Sequence, residues 1–270
     1  YDEDGKESAA QVYIEVPADG SVTIKDLPVG DYTVAEDKTD AAETGYVLTV
    51  NGTGDVKVTK DTTATATVTN TYTQDKGSLT VEKTVVGYTF DASKTFIIYV
   101  TDADGKYVKE DGSITATKTG INVPANGKVT INNIPVGTYT VAEDKTDAAE
   151  TGYTLKVTGT GDVKITKDAT ATATITNTYT QDKGSLTVEK TVVGYTFDAS
   201  KTFIIYVTDA DGKYVKEDGS ITATKTGINV PANGSVTIND IPVGTYSVNE
   251  ERTGTAVSDY GLAVGGEGNV

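Results

Sequence analysis

A repeat of 107 residues constrains this chain more than any other feature: residues 77–127 return letter for letter at 184–234. The same offset carries Asn70 onto Asn177, Lys83 onto Lys190, and Glu36 onto Glu143 and then Glu250. Each copy must fold as one and the same unit, so the period sets the domain size. Residues 77–183 are the one complete period; 1–76 match its later part, and 184–270 match its earlier part followed by a divergent tail. We therefore expect a partial repeat at 1–76 lacking its first strands, a complete repeat at 77–183, and a partial repeat at 184–270 lacking its last strand. The chain opens at Tyr1 without an initiator methionine, and we read it as a fragment.

Inside the complete period, short alternating runs of Val, Ile, Thr and Tyr are separated by turn residues, and helical periodicity is almost absent. Strands are predicted over 79–86, 95–101, 107–108, 114–118, 121–123, 128–131, 138–143, 153–158, 163–166 and 170–179. Asp102-Ala-Asp-Gly105 reads as a turn, Pro124-Ala-Asn-Gly127 as a tight hairpin turn, and Ile134-Pro-Val-Gly137 as a further turn. Only 144–151 offers a short helical turn. Strands spaced this evenly predict an all-β sandwich of about 100 residues. The joint at Thr180-Gln-Asp-Lys183 is short enough to make successive domains a fairly stiff string.

Composition narrows the function. With no His or Cys and a net charge of −16, the chain lacks the commonest zinc ligands and the usual partners of nucleophilic catalysis. We therefore expect no metal, no cofactor and no enzyme of the triad or metallohydrolase type. The acidic balance argues against nucleic acid and against docking on anionic membranes. No stretch approaches the roughly 20 apolar residues of a membrane span.

Side-chain parity singles out the residues that carry chemistry. A strand alternates its side chains between two faces, so Leu79, Val81, Lys83 and Val85 share one face, opposite Thr80, Glu82 and Thr84. In 138–143, Tyr139, Val141 and Glu143 share a face. In 171–179, Ala171, Ala173, Ile175, Asn177 and Tyr179 do so, against a face made of threonine. Lys83, Glu143 and Asn177 thus each interrupt an inward apolar stripe. An unpaired buried ammonium costs several kcal/mol, so Lys83 should either have a buried partner or lose its charge.

These motifs resemble the Cna B-type and pilin-linker domains of Gram-positive surface proteins. The resemblance lies in Thr80-Val-Glu-Lys-Thr-Val-Val-Gly87, in Tyr139-Thr-Val-Ala-Glu143 running on to Gly152-Tyr153, and in Thr176-Asn-Thr-Tyr179. It covers every copy. It implies tandem Ig-like, transthyretin-like sandwiches in an elongated array, and an intramolecular isopeptide bond made without an external enzyme between the Lys83 amine and the Asn177 side-chain carbonyl. Burial disfavours the charged form of an amine and of a carboxyl alike, so a neutral amine and a protonated carboxyl can coexist. Glu143 then serves as proton shuttle. The plainer reading is a buried ion pair between Lys83 and Glu143, with Asn177 as hydrogen-bonding neighbour. The first copy keeps Glu36 and Asn70 without a lysine strand, and the last keeps Lys190 and Glu250 without an asparagine strand; Asn269 is out of register. Only the middle copy can close the bond.

The expected function is mechanical: a stalk or spacer in an adhesin or pilus-like protein, outside the cell and anchored to a Gram-positive cell wall. Its partners would be neighbouring repeats, copies of the same protein, or a host ligand bound by domains outside this segment. The alternatives are a module binding a host protein or glycan, the backbone subunit of a sortase-assembled pilus, and, last, an accessory domain of a secreted enzyme. Weaker signals read as structure: Asp102–Gly105 as a turn rather than a calcium loop, Asn51-Gly-Thr53 and Asn233-Gly-Ser235 as turns rather than glycosylation sites, and Tyr88 and Tyr195 as core covers rather than sugar platforms.

Overall fold

Threonine alternating with alanine, isoleucine, asparagine and tyrosine along residues 170–181 forms, in the computed structural model of the chain, one long strand. Its inward positions Ala173, Ile175, Asn177 and Tyr179 are buried. β-Branched threonines suit the pleated backbone and leave hydroxyls on the outer face. The structure describes residues 1–10, 12–253 and 261–270.

The first stretch holds β1 (Gly30–Val34), β2 (Tyr46–Asn51), β3 (Gly54–Val58) and β4 (Thr69–Gln74). β1 pairs with β3 and β2 with β4, both antiparallel. Tyr13, Val16 and Val29 are exposed here. Among the described residues of this stretch nothing corresponds to the first two strands of the middle unit.

The middle unit runs through β5 (Lys76–Val86), β6 (Thr95–Thr101), β7 (Tyr107–Val108), β8 (Ile114–Thr115), β9 (Ile121–Pro124), β10 (Lys128–Pro135) and β11 (Gly137–Glu143). It continues through α1 (Lys145–Ala148), β12 (Tyr153–Thr158), β13 (Gly161–Ile165) and β14 (Thr170–Gln181). One sheet has the order β10-β5-β14-β12 and the other β13-β11-β6-β7-β8, with β9 also on β6. Leu79, Val81, Ile131 and Ile175 of the first sheet meet Phe96, Ile98, Val100 and Val141 of the second in one core. Burying a side chain of this size contributes about 1.5–3 kcal/mol. The unit is an all-β sandwich.

The pairing of β5 with β14 is parallel, from Ser78 opposite Thr170 to Val86 opposite Thr178. The first and last strands of the unit are therefore neighbours at the centre of one sheet. Parallel neighbours need a long crossover connection, and here it runs through the whole second sheet and through β10 and β12 of the first.

One expectation needs correcting. Gly127 N–H does close a tight turn on the Pro124 carbonyl at 3.0 Å, with Asn126 in the left-handed region at φ 54°. The turn is not a hairpin, however, because β9 pairs with β6 and β10 with β5. It passes the chain from one sheet to the other. Asp102–Gly105 is a true hairpin turn between β6 and β7, and Asp102 Oδ1 is occupied by the backbone N–H of Asp104 and Lys106.

The last stretch repeats the early strands as β15 (Lys183–Lys190), β16 (Thr202–Thr208), β17 (Tyr214–Val215), β18 (Ile221–Thr222), β19 (Ile228–Pro231), β20 (Gly234–Pro242) and β21 (Ser247–Glu250). β22 (Gly268–Asn269) pairs with β21 as β13 pairs with β11. A second core forms around Phe203, Ile205, Val207 and Ile238. No helix among the described residues is long and apolar enough to cross a membrane.

Candidate functional site

Three strands deliver one polar side chain each into the middle core. Lys83 comes from β5, whose preceding inward residues Leu79 and Val81 are buried. Glu143 ends β11, directly opposite Ile98 on β6. Asn177 comes from β14, one inward position beyond Ile175, which is the residue opposite Lys83. The side chains of Lys83 and Glu143 have no solvent exposure, and Asn177 is fully buried.

Glu143 holds the other two. Lys83 Nζ lies 3.2 Å from Oε1 and donates to Oε2 at 3.3 Å. Asn177 Nδ2 donates to the same Oε1 at 2.9 Å. One carboxylate oxygen thus contacts both the amine and the amide nitrogen. Burial pushes the Lys83 amine below its ordinary value, and the Glu143 carboxylate opposes that push. The Phe96 ring, 4.7 Å from Nζ, closes the other side. Asn177 Oδ1 is buried and has no hydrogen-bond partner, a situation that costs about 1–3 kcal/mol for a buried acceptor.

The wider surroundings were not legible as a site in the sequence. Asn177 Nδ2 also donates to Tyr179 Oη at 3.3 Å, and that hydroxyl donates to the Ala148 carbonyl at 2.6 Å. Ala148 closes α1, which Asp144 caps by accepting from the N–H of Thr146 and Asp147. Tyr99 donates to the same Asp144, at 3.0 Å, and holds its carboxyl below the usual range. The available signal was parity: Tyr179 follows Asn177 by two residues on the same inward face, and its hydroxyl is a polar atom there. Tyr88 packs against Phe90, Tyr153 and Tyr179 at ring distances of 4.6, 4.9 and 5.8 Å. Tyr195 packs on Phe197 at 4.7 Å.

The outer stretches hold parts of the same arrangement. In the first, Asn70 Nδ2 donates to Glu36 Oε1 at 2.6 Å, while Glu36 Oε2 and Asn70 Oδ1 are buried without partners. In the last, Lys190 Nζ is 2.8 Å from Glu250 Oε2, and Glu250 Oε1 is unpartnered. Asn269 accepts from Ser247 at 2.8 Å, as Asp162 accepts from Thr140 at 2.7 Å. It belongs to the edge of the second sheet, away from the position of Asn177.

Chemically, the middle site juxtaposes an amine of lowered basicity, a primary amide and a carboxyl between them, all three buried from solvent. These are the parts of an amide exchange.

No curated protein matches the chain. Among solved structures, the Bacillus anthracis TIE protein aligns at 17% identity over 76% of this chain and 35% of its own, with a TM-score of 0.39. A streptococcal ancillary pilin aligns at 17% identity over 90% and 71%, TM-score 0.32, and the minor pilin GBS52 of Streptococcus agalactiae at 17% over 59% and 64%, TM-score 0.30. The chain spans about a third of the length of the TIE protein chain. The model of the DUF5979 family, described as a domain of unknown function, matches residues 2–73, 79–180 and 186–269, and the chain therefore belongs to that family.

Proposed function

We propose that this chain is a structural spacer of a Gram-positive surface adhesin or pilus-like protein, and that its complete unit is locked by an isopeptide bond between Lys83 and Asn177. The observation that carries the reading is the single carboxylate oxygen of Glu143 in contact with both Lys83 Nζ and Asn177 Nδ2 inside a sealed core.

The atoms balance without any external reagent. Lys83 passes one proton to Glu143, and the ion pair becomes a neutral pair. The neutral amine attacks Asn177 Cγ, forming the Nζ–Cγ bond. Glu143 gives its proton to Nδ2 while taking the second proton from Nζ; the Cγ–Nδ2 bond breaks and ammonia leaves. Glu143 ends protonated. Fixed proximity supplies the rate, since well-oriented intramolecular reactions reach effective molarities of roughly 10⁵ M or more. The event happens once per molecule and modifies only the chain itself, so the protein is not an enzyme in this reading.

The topology makes such a bond useful to a spacer. Tension enters the unit at the start of β5 and leaves at the end of β14, which are parallel neighbours loaded in shear. A bond from Lys83 to Asn177 passes the load across before most of the fold feels it. Closing so long a loop also stabilises the unit by roughly 4 kcal/mol in the chain-entropy account. Wall anchoring, a host ligand carried by other domains, and contacts between copies follow from the same reading.

Intact-mass measurement tests it. The chain is expected to weigh one ammonia less than its sequence, and digestion should yield one branched peptide joining β5 to β14. Full calculated mass would leave a buried ion pair and remove the case for a crosslinked spacer.

A further inference from the structure

We infer that Tyr179 is a positioning residue for the isopeptide reaction, holding the Asn177 amide with its nitrogen, and not its oxygen, turned toward Glu143. The inference rests on the proposed Lys83–Asn177 bond and adds to it a residue outside the lysine, glutamate and asparagine set.

The count of donors on Asn177 and Tyr179 fixes the orientation of the amide. A primary amide presents two N–H groups on one side and a carbonyl oxygen on the other, nearly equal in size. Asn177 commits one N–H to Glu143 Oε1 at 2.9 Å and the other to Tyr179 Oη at 3.3 Å. A hydroxyl has one proton, and Tyr179 spends it on the Ala148 carbonyl at 2.6 Å. Toward Asn177 its oxygen can therefore only accept, so it takes nitrogen and rejects Oδ1.

This selection matters most when the reaction is about to occur. While Glu143 is ionised, it too only accepts and favours the same orientation. Once Glu143 carries the proton from Lys83, it can donate as well, and it no longer distinguishes Nδ2 from Oδ1. Tyr179 then remains as the group that keeps Nδ2, the leaving atom, within reach of the shuttle. Burial raises the Tyr179 hydroxyl above its ordinary pKa, so the proton that makes it a pure acceptor stays in place.

The structure maintains this arrangement from one short element. Asp144, the residue after Glu143, caps α1, and α1 sets the Ala148 carbonyl over the tyrosine. The first stretch repeats the contact: Tyr72 donates to the Ala41 carbonyl at 2.8 Å, beside Asn70.

The test follows crosslinking over time by intact mass, in the full chain recovered unfolded from inclusion bodies and refolded by dilution. Tyr179→Phe is expected to slow the loss of ammonia on the order of 10-fold or more, as modest misplacement of reacting groups does. Asp144→Ala, which uncaps α1 without touching the triad, is expected to slow it in the same direction. Ile175→Val, a core change on the same strand that removes no polar contact, should keep the wild-type rate. Crosslinking of Tyr179→Phe at the wild-type rate, or an equal slowing by Ile175→Val, overturns the positioning role while the isopeptide reading stands. A wild-type chain that stays at full mass overturns both.

Discussion

Lys83 stands opposite Ile175 and Asn177 opposite Val85 on parallel neighbouring strands, so the lysine and the asparagine share one face, a single inward step apart. The offset suits the lengths of the two side chains: the longer one reaches along the strand toward the shorter. It also places the candidate bond between the entry and exit strands of the unit.

Removing the asparagine should therefore expose what the bond contributes. Asn177→Ala leaves the pair of Lys83 and Glu143 in place but offers no carbonyl. The loss of loop closure predicts a drop of roughly 4 kcal/mol, or a fall in the melting temperature of the unit of roughly 15–30 °C. Calorimetry on wild-type and variant chains reads the difference directly, and equal melting temperatures would show that no covalent tie exists in the wild type.

Glu143→Gln keeps the shape of the site and removes its proton carrier. The variant is expected to stay at full mass, and to lose about 3–5 kcal/mol because Lys83 is left as an uncompensated buried charge. Glu250→Gln is the control: Lys190 and Glu250 meet at 2.8 Å, but among the described residues no asparagine strand stands beside them, so the mass deficit of the chain should not change. Loss of ammonia from Glu143→Gln at the wild-type rate would assign the shuttle elsewhere.

Much of this site could be read before any coordinates, because parity is a local property. Counting by two along 79–85, 138–143 and 171–179 puts Lys83, Glu143 and Asn177 on inward faces, and all three are buried. Which strands are neighbours is not local. Nothing in the alternation of β5 says that it pairs in parallel with β14; that follows from how the crossover closes the sandwich. The turn at Pro124–Gly127 shows the same limit. Its four residues specify a tight reversal with Asn126 left-handed, but whether the strands on either side pair together depends on two sheets whose identities lie elsewhere in the chain. The role of Tyr179 was hidden for a related reason: its partner is a backbone carbonyl on α1, and backbone carbonyls leave no mark in a sequence.

The proton that Lys83 gives up passes to Glu143 inside the site, so the reaction exchanges no proton with solvent, whereas the stability of an uncrosslinked chain does depend on pH. Burial lowers the folded-state pKa of Lys83, so between that depressed value and the ordinary lysine value near 10.4 the unfolded chain binds more protons than the folded one. Stability from this group therefore rises with pH through that window, and its penalty is full below the depressed pKa. Asn177→Ala, in which Lys83 stays a free amine, should therefore gain stability as the pH rises through that window, whereas crosslinking of freshly refolded wild-type chain should run at nearly the same rate at about pH 6 and about pH 8. A rate that climbs steeply with pH would mean that Lys83 loses its proton to solvent and that Glu143 is not the acceptor.

Gly87 and Gly194 occupy equivalent places after the two lysine strands, and both have positive φ, 82° and 85°. A Cβ on Gly87 would come within 2.1 Å of the Tyr179 carbonyl oxygen, whereas one on Gly194 would meet nothing within 4 Å. Gly194→Ala should cost only its left-handed conformation, about 1–2 kcal/mol. Gly87→Ala should cost more, and, by displacing the backbone of β14 beside Tyr179, should also slow crosslinking. Equal effects of the two changes on melting and on mass would contradict the close approach of β5 and β14.

The units meet at a junction that the structure makes twice. Asp182 N–H donates to the Gly152 carbonyl at 2.9 Å, and its own carbonyl accepts from Val243 N–H at 3.0 Å; Asp75 does the same with Gly45 at 2.7 Å and Val136 at 3.0 Å. The side chains differ: Asp182 accepts from Thr154 at 2.6 Å, while Asp75 pairs with Lys167 at 2.8 Å. The backbone pattern therefore does not depend on either side-chain contact. One residue ties the last strand of one unit to the turn after β10 or β20 in the next. The Val243 and Val136 amides should exchange slowly with deuterium, since opening them requires the junction to part. Inserting two glycines between Asp182 and Lys183 should release protection at Val243 while leaving Val136 slow. Fast exchange of both in the wild-type chain would make the joint a free hinge, and the mechanical reading would then rest on the crosslinked unit alone.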